Sequence, residues 1–415
     1  MEKRLELYAG WEDDKQIGTV FIDRIRGNEV FSFEYDPSWL IDHRELILDP
    51  DIQPFNGRQY LSSERDTYGI LSDISPYRWG RTLLQRKEAI LAQRENRQPQ
   101  KLIASDYLVG VCDMSRMGGV RLKYSGEDGF IQSPDVLPIP PITRLRDLEY
   151  AVNGFEKADK NEEKWVNDLL NPGSSLGGAR PKATVMDTDD SLWIAKFPSV
   201  NDEYNVSAWE KVAVDIAAKC DIKVSDSDYR EINGKGVFLT KRFDRIGTKR
   251  IHFASAMTML GLRDGDENGN YCRIADFLRM NGGSPREDLK ELWKRIVFNK
   301  MIGNHDDHLR NHGFILVNGQ WRLSPVYDIN PIPYESPSLQ ISEMIENTIK
   351  NAIEHSEYFD LSGSEARDYI ELAASVVRDN WKNIAKNYNV PASELKLMEK
   401  AFQNDTLTPS PRSMV

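Results

Sequence analysis

Cysteine is nearly missing from this chain: Cys112, Cys220 and Cys272 are the only three in 415 residues, and no C-x-x-C pair occurs. That excludes a disulfide framework and a thiolate zinc site, and points to a reducing compartment. No run approaches the roughly 18 apolar residues of a membrane span. The opening MEKRLELYAGWEDD has no apolar signal core, so a cytoplasmic protein without a membrane partner is expected. Positive charge is also in deficit, with 54 Lys+Arg against 65 Asp+Glu and a net charge of -11. This excludes sequence-blind binding of nucleic acid by the whole surface. Internal repeats and low-complexity tracts are absent too. What is present is 40% hydrophobic and 10% aromatic residues, enough to bury cores in two or three domains.

The chain's patterning sets out its order. Val20, Ile22, Val30, Phe31, Phe33 and Tyr35 alternate around the turn former Arg26-Gly27-Asn28, which predicts a small β unit. From Tyr68 to Arg97 the apolar spacing lengthens to that of one or two helices. The proline-rich Ser133–Pro141 predicts an extended connector near a boundary. Ala183–Met186 and Ser191–Phe197 flank Asp187-Thr-Asp-Asp190 as a hairpin. Leu289 to Met301 predicts an amphipathic helix capped by Gly303, and the last third is helical in pattern.

The chemistry concentrates immediately after that helix. Phosphoryl transfer needs a carboxylate to orient the acceptor hydroxyl and oxygen ligands to hold magnesium on the phosphates. Asp306 and Asn311 stand five apart, the separation of base and metal ligand in the protein-kinase loop H-R-D-x-x-x-x-N, and Asp328 falls where a second metal ligand belongs. Upstream, Ser174-Ser175-Leu176-Gly177-Gly178-Ala179 is small enough for backbone amides to reach phosphate oxygens. Lys196 sits in an apolar strand like the V-A-I-K lysine, and Glu210 on the following helical stretch is its candidate ion-pair partner. Loop, strand lysine, helix glutamate, Asp/Asn loop and final Asp follow one another in the order of a kinase core.

These motifs resemble the HipA family of bacterial toxin kinases over nearly the whole chain. The resemblance is carried by Phe33-Glu-Tyr-Asp36, Pro76-Tyr-Arg-Trp-Gly-Arg81, Ser175-Leu-Gly-Gly-Ala-Arg-Pro-Lys182, Arg242-Phe-Asp-Arg245, Asn304-His-Asp-Asp-His-Leu-Arg-Asn-His-Gly-Phe314 and Ser324-Pro-Val-Tyr-Asp-Ile329. It implies Asp306 as catalytic base, Asn311 and Asp328 as Mg2+ ligands, and Lys196 as the lysine on the ATP phosphates. It further implies nucleotide contacts from Ser175, Leu176, Gly177, Gly178, Ala179, Phe243, Asp244, His308 and Tyr327. Ser175 matches the serine whose autophosphorylation switches the family's kinases off. A HipB-like helix-turn-helix antitoxin is the implied partner, with DNA reached only through it. A protein substrate, such as an aminoacyl-tRNA synthetase, is implied likewise. The chain departs from the family pattern at Arg180-Pro181 and at Asp328-Ile-Asn330 in place of Asp-Phe-Gly.

The expected architecture is α+β, a bilobal protein-kinase-like fold with an N-terminal β-rich subdomain (1–140), a nucleotide-binding portion with the glycine loop and strand lysine (141–245) and a helical catalytic portion (246–415). Two other functions compete. One is a catalytically silent binding and corepressor module of a toxin-antitoxin operon. The other is a metal-dependent hydrolase on His305, His308 and His312, which lacks the glutamate of H-E-x-x-H. Within the loop, His308 is the histidine expected to pack or hydrogen-bond.

Overall fold

A period of two residues organises the first sheet. In β1 (Lys3–Ala9) Leu5, Leu7 and Ala9 are buried and the residues between them are not, as a strand with one face on a core requires. β2 (Lys15–Ile25) and β3 (Asn28–Tyr35) bury Ile17, Val20, Ile22, Phe31, Phe33 and Tyr35. Antiparallel pairing sets Val20 against both Leu5 and Phe33. Arg26 and Gly27 join the strands at φ +53° and +88°, the two left-handed positions of a type I′ hairpin turn. α1 (Pro37–His43), β4 (Gln59–Tyr60), α2 (Gly69–Asp73), α3 (Arg78–Arg94), α4 (Ala104–Val109) and β5 (Val120–Tyr124) complete this region, with sheet order β4-β3-β2-β1-β5. Trp39, Tyr68, Ile70 and Leu71 close its core.

The computed structural model describes residues 2–62, 65–131, 139–157, 162–173, 178–266, 268–334 and 338–402. The chain forms two compact units: the first spans Met1–Asn201, Ile232–Lys235 and Lys241–Ala254, the second Asp202–Glu231, Gly236–Thr240 and Ser255–Val415. The first also holds α5 (Leu145–Glu156), α6 (Glu162–Gly173) and the expected hairpin of β6 (Lys182–Met186) and β7 (Leu192–Lys196).

In the second unit, α7 (Val206–Lys219) is followed by β8 (Ser227–Ile232) and β9 (Lys235–Lys241). The ribbon of β10 (Arg245–Ile246) and β11 (Lys249–Arg250) returns to the first unit, and the division falls inside β12 (Phe253–Ser255). After α8 (Ala256–Met259) come α9 (Tyr271–Asn281), α10 (Pro285–Met301), the hairpin β13 (Gly313–Val317) and β14 (Gln320–Leu323), α11 (Ile349–Glu354), α12 (Gly363–Asn387) and α13 (Ala392–Phe402). α10 begins with Pro285 in its first turn and carries Glu287 and Asp288 there, an arrangement that suits the positive end of the helix dipole. Its Leu292, Trp293, Ile296 and Val297 are fully buried. Trp209, Trp381 and Phe402 pack α7, α12 and α13 together, with Trp381 stacked on Phe402 at 5.0 Å. Among the described residues no helix is long and apolar enough to cross a membrane.

Candidate active site

The site begins at the end of α10. Asn304 N–H donates to the Asn299 carbonyl (2.8 Å), and Gly303 stands at φ +64°, which is the Schellman stop that reverses the chain at a helix C-terminus. Only glycine fits there, because a Cβ would lie 2.9 Å from the Ala401 Cα of α13. Asn304 Nδ2 adds a bond to Asn299 Oδ1 at 3.1 Å. The polar loop therefore leaves a rigid helix at a fixed angle.

Two side chains then lace the loop across the same five-residue interval. Asn311 Nδ2 donates to the Asp306 carbonyl oxygen at 2.9 Å. One residue along, His312 Nε2 meets Asp307 Oδ1 and Oδ2 at 2.9 and 3.1 Å. Asp306 is exposed, whereas Asp307, His312 and Tyr271 are buried. The Tyr271 hydroxyl also donates to Asp307, and Asn299 Nδ2 approaches that hydroxyl at 3.5 Å. Tyr271 is the first residue of α9, which Asn270 caps by accepting from the Arg273 amide at 3.0 Å. Burial by itself would raise the Asp307 carboxyl, but the nearby His312, its hydrogen bond and that of Tyr271 hold it below the usual carboxylate value. Burial, then the Asp307 charge, pushes the Tyr271 phenol far up, so it stays a donor.

Of these inward residues the sequence singled out only His312, and that for a metal site. The signal was available, since Asp307 and His312 repeat the separation of Asp306 and Asn311. The histidine packed inside the loop is His312, and His308, expected to play that part, is exposed. A single 3-10 turn (Leu309–Asn311) leads into β13, so His308 and His312 do not share a helix face.

A second tether comes from beyond β14. Ser324 N–H bonds the Gly313 carbonyl at 2.9 Å, Val326 N–H the Lys223 carbonyl at 2.8 Å, and Arg295, itself on Glu291, holds the Ser324 carbonyl at 2.7 Å. The Tyr327 hydroxyl donates to the Arg310 carbonyl at 2.8 Å. The neighbours of Asp328 and Asn311 are thereby tied together. Asp328 is half-buried at φ +54°, a left-handed backbone that costs a non-glycine residue about 1 kcal/mol and is tolerated best by Asn and Asp. The side-chain oxygens of Asn311 and Asp328, the two residues expected to hold magnesium, are hard donors of the kind that ion takes.

In the first unit, Lys196 is buried near the end of β7, directly opposite the buried Lys182 of β6. Gly178, at φ +91°, lies so close to Lys182 that a Cβ would sit 2.7 Å from its ammonium nitrogen. Its carbonyl accepts from the Trp79 amide at 3.3 Å, and the Trp79 indole donates to the Lys182 carbonyl at 3.0 Å. The glycine loop's end thus rests on a packed surface. Gly178 and Ala179 are described, whereas Ser175, Leu176 and Gly177 lie outside the described residues. Glu210 is buried on α7 in the second unit.

Arg242-Phe-Asp-Arg245 divides its roles. Asp244 has no exposed surface. Oδ1 accepts from Arg242 Nε at 2.9 Å, and Oδ2 accepts from Arg242 Nη2, Arg245 Nη1 and the Gly118 amide at 2.7 to 2.8 Å. The same two arginines hold the carbonyls of Ser115, Arg116 and Gly118. Burial opposes the Asp244 charge, yet Arg242 and Arg245 keep its carboxyl well below the ordinary range. The Asp244 side chain is therefore a structural anchor, which corrects the expectation of a nucleotide contact. Phe243 is half-buried, with its ring 5.8 Å from that of Phe253.

Comparisons with known proteins agree with these motifs. Residues 174–388, just over half of the chain, match the family model described as the HipA-like C-terminal domain. "Putative kinase Y4dM" of Sinorhizobium fredii is 32% identical over 208 residues, 45% of this chain and 46% of that protein. "Putative kinase" of Haemophilus influenzae is 25% identical over 191 residues, 39% and 54% of the two chains. The chain thus spans about half the length of the curated relatives it matches. A solved Shewanella oneidensis toxin-antitoxin complex of HipA, HipB and operator DNA contains a similar chain, with a TM-score of 0.60 at 15% identity over 97% of this chain and 96% of that one. That likeness shows the fold, the expected α+β, bilobal protein-kinase-like architecture.

Proposed function

The chain belongs to the HipA-like C-terminal domain family, and from that premise we propose that it is an ATP-dependent serine/threonine protein kinase of the HipA toxin type. The observation that carries the reading is the double tether of the Asp/Asn loop, with Asn311 on the Asp306 carbonyl and Tyr327 on the Arg310 carbonyl. It draws three oxygen-bearing residues into one region of the second unit. Exposed Asp306 accepts the proton of the substrate hydroxyl. Asn311, whose Nδ2 is committed to the backbone, keeps Oδ1 for Mg2+, and Asp328 supplies a carboxylate. Magnesium, when bound with ATP, neutralises charge that develops on the transferred phosphoryl group. Lys196 contacts the ATP phosphates, and the loop Ser175 to Ala179 supplies amides. Phe243, His308 and Tyr327 border the nucleotide.

Ser175 is the proposed site of autophosphorylation, a modification whose charge of about -1.5 to -2 competes with ATP phosphates for the same amides. The proposed partner is a HipB-like antitoxin, and the substrate is a protein, an aminoacyl-tRNA synthetase being the family precedent; DNA is met through the antitoxin alone. The test is incubation of the purified chain with labelled ATP and host lysate, followed by phosphosite mapping. Magnesium-dependent label on serine or threonine is the expected result. No transfer to itself or to any lysate protein would overturn the kinase reading in favour of a silent corepressor.

A further inference from the structure

The lacing of the Asp/Asn loop separates two tasks. Asp306 and Asn311 form the pair assigned to chemistry, yet the bond between them uses only a backbone carbonyl and an amide nitrogen. By itself that bond ties the two residues to each other and not to a helix. The neighbouring pair adds that link. Asp307 is 5% exposed and His312 2% exposed, and their bond spans the same interval as the Asp306–Asn311 bond, on the inner side of the loop. Tyr271 fastens Asp307 to the start of α9, Asn299 of α10 backs that hydroxyl, and the Asp307 carbonyl accepts from the Leu339 amide at 3.0 Å.

We infer that Asp307 is a positioning residue, which with His312 and Tyr271 sets the placement of Asp306 and Asn311 for phosphoryl transfer. The inference rests on the kinase reading above. A carboxylate acting as a shared acceptor fixes both ends of the loop at once, and every member of the group is inaccessible, so none of them touches substrate. Displacement of a reacting group by about 1 Å costs on the order of 100-fold in rate. Removal of the shared acceptor therefore lowers turnover.

The test compares full-length wild type with Asp306→Asn, Asp307→Asn, Tyr271→Phe, His312→Gln and His312→Ala, using labelled Mg-ATP and measuring kcat, KM for ATP and Tm. Asp307→Asn should lower kcat about 100-fold with KM for ATP changed less than about threefold. Tyr271→Phe should lower it about tenfold by losing one hydrogen bond to a charged group. His312→Gln, which keeps a donor, should recover part of what His312→Ala loses. Should Asp307→Asn fail to fold, Tyr271→Phe and the histidine pair decide the matter. Folded variants that turn over like wild type, or a fall in kcat accompanied by a matching rise in KM and a loss of Tm, would overturn the positioning role. Absence of transfer by wild type as well as Asp306→Asn would instead sink the kinase reading.

Discussion

Two short charged motifs, Arg242–Arg245 in the first unit and Asn304–His312 in the second, are both mostly polar in sequence and spend that polarity differently. In the first, Asp244 uses both oxygens within the protein, and both flanking arginines close on backbone carbonyls. In the second, only Asp307 and His312 turn inward, bonded to each other and to Tyr271, while Asp306 and His308 stay exposed. A motif rich in charge can thus be a brace or a site. The distinguishing feature is whether an ionisable side chain of the motif is exposed, as Asp306 is, or buried, as Asp244 is.

That contrast is open to attack by mutation, and the largest effect belongs to the brace. Asp244→Asn leaves Arg242 and Arg245 buried without their counter-charge, which should cost about 3–5 kcal/mol of stability, measured from the urea midpoint of the purified chain. A loss below about 1 kcal/mol would return Asp244 to the list of ligand contacts. Next comes Lys196→Met, which keeps the volume of the β7 position and removes its charge. It should lower phosphate transfer at least about 100-fold and weaken Mg-ATP binding by calorimetry. Unchanged affinity and turnover would assign Lys196 to the hairpin's structure alongside Lys182.

Acid sensitivity gives an intermediate effect. The carboxyls of Asp244 and Asp307 titrate below their ordinary values because the arginines beside Asp244, and the imidazole and hydroxyl bonded to Asp307, outweigh burial. Depressed folded values mean that their stabilisation is complete above the unfolded carboxylate pKa of about 4 and is lost as pH falls through the folded values. Stability against pH should therefore drop steeply on the acid side, and Asp244→Asn should flatten that limb; an equally steep limb in the variant contradicts the assignment. The smallest effect is expected at Asp264, an exposed partner of Arg310 on the outer side of the loop. Asp264→Asn should change stability by less than about 1 kcal/mol and leave turnover intact, because Tyr327 holds the Arg310 backbone. A clear loss of activity would show that the outer ion pair also shapes the loop.

Much of this was legible in the sequence where local chemistry decides the outcome. Alternation placed β2 and β3, the Arg26-Gly27-Asn28 turn former placed their turn, and Gly303 marked the end of α10, whose start was expected at Leu289 and lies at Pro285. The Asp306, Asn311 and Asp328 spacing located the polar loop. What could not be read was direction. Whether an aspartate points to solvent or to a tyrosine thirty-odd residues upstream depends on tertiary packing, so Asp307 and Tyr271 passed unnoticed and His308 received the part His312 plays. Asp244 was misjudged for the same reason, since its anchor points at residues 115–118 are far away in sequence.

The most direct test of the account is labelled phosphate transfer from Mg-ATP by wild type and by Asp306→Asn, with Tm measured on both. The Asp306 side chain is exposed and it is the backbone carbonyl that holds Asn311, so the variant should keep its fold and Tm while losing at least about 100-fold in transfer. A folded Asp306→Asn protein that labels itself or its substrate as fast as wild type would contradict the central claim that this loop carries out phosphoryl transfer through Asp306.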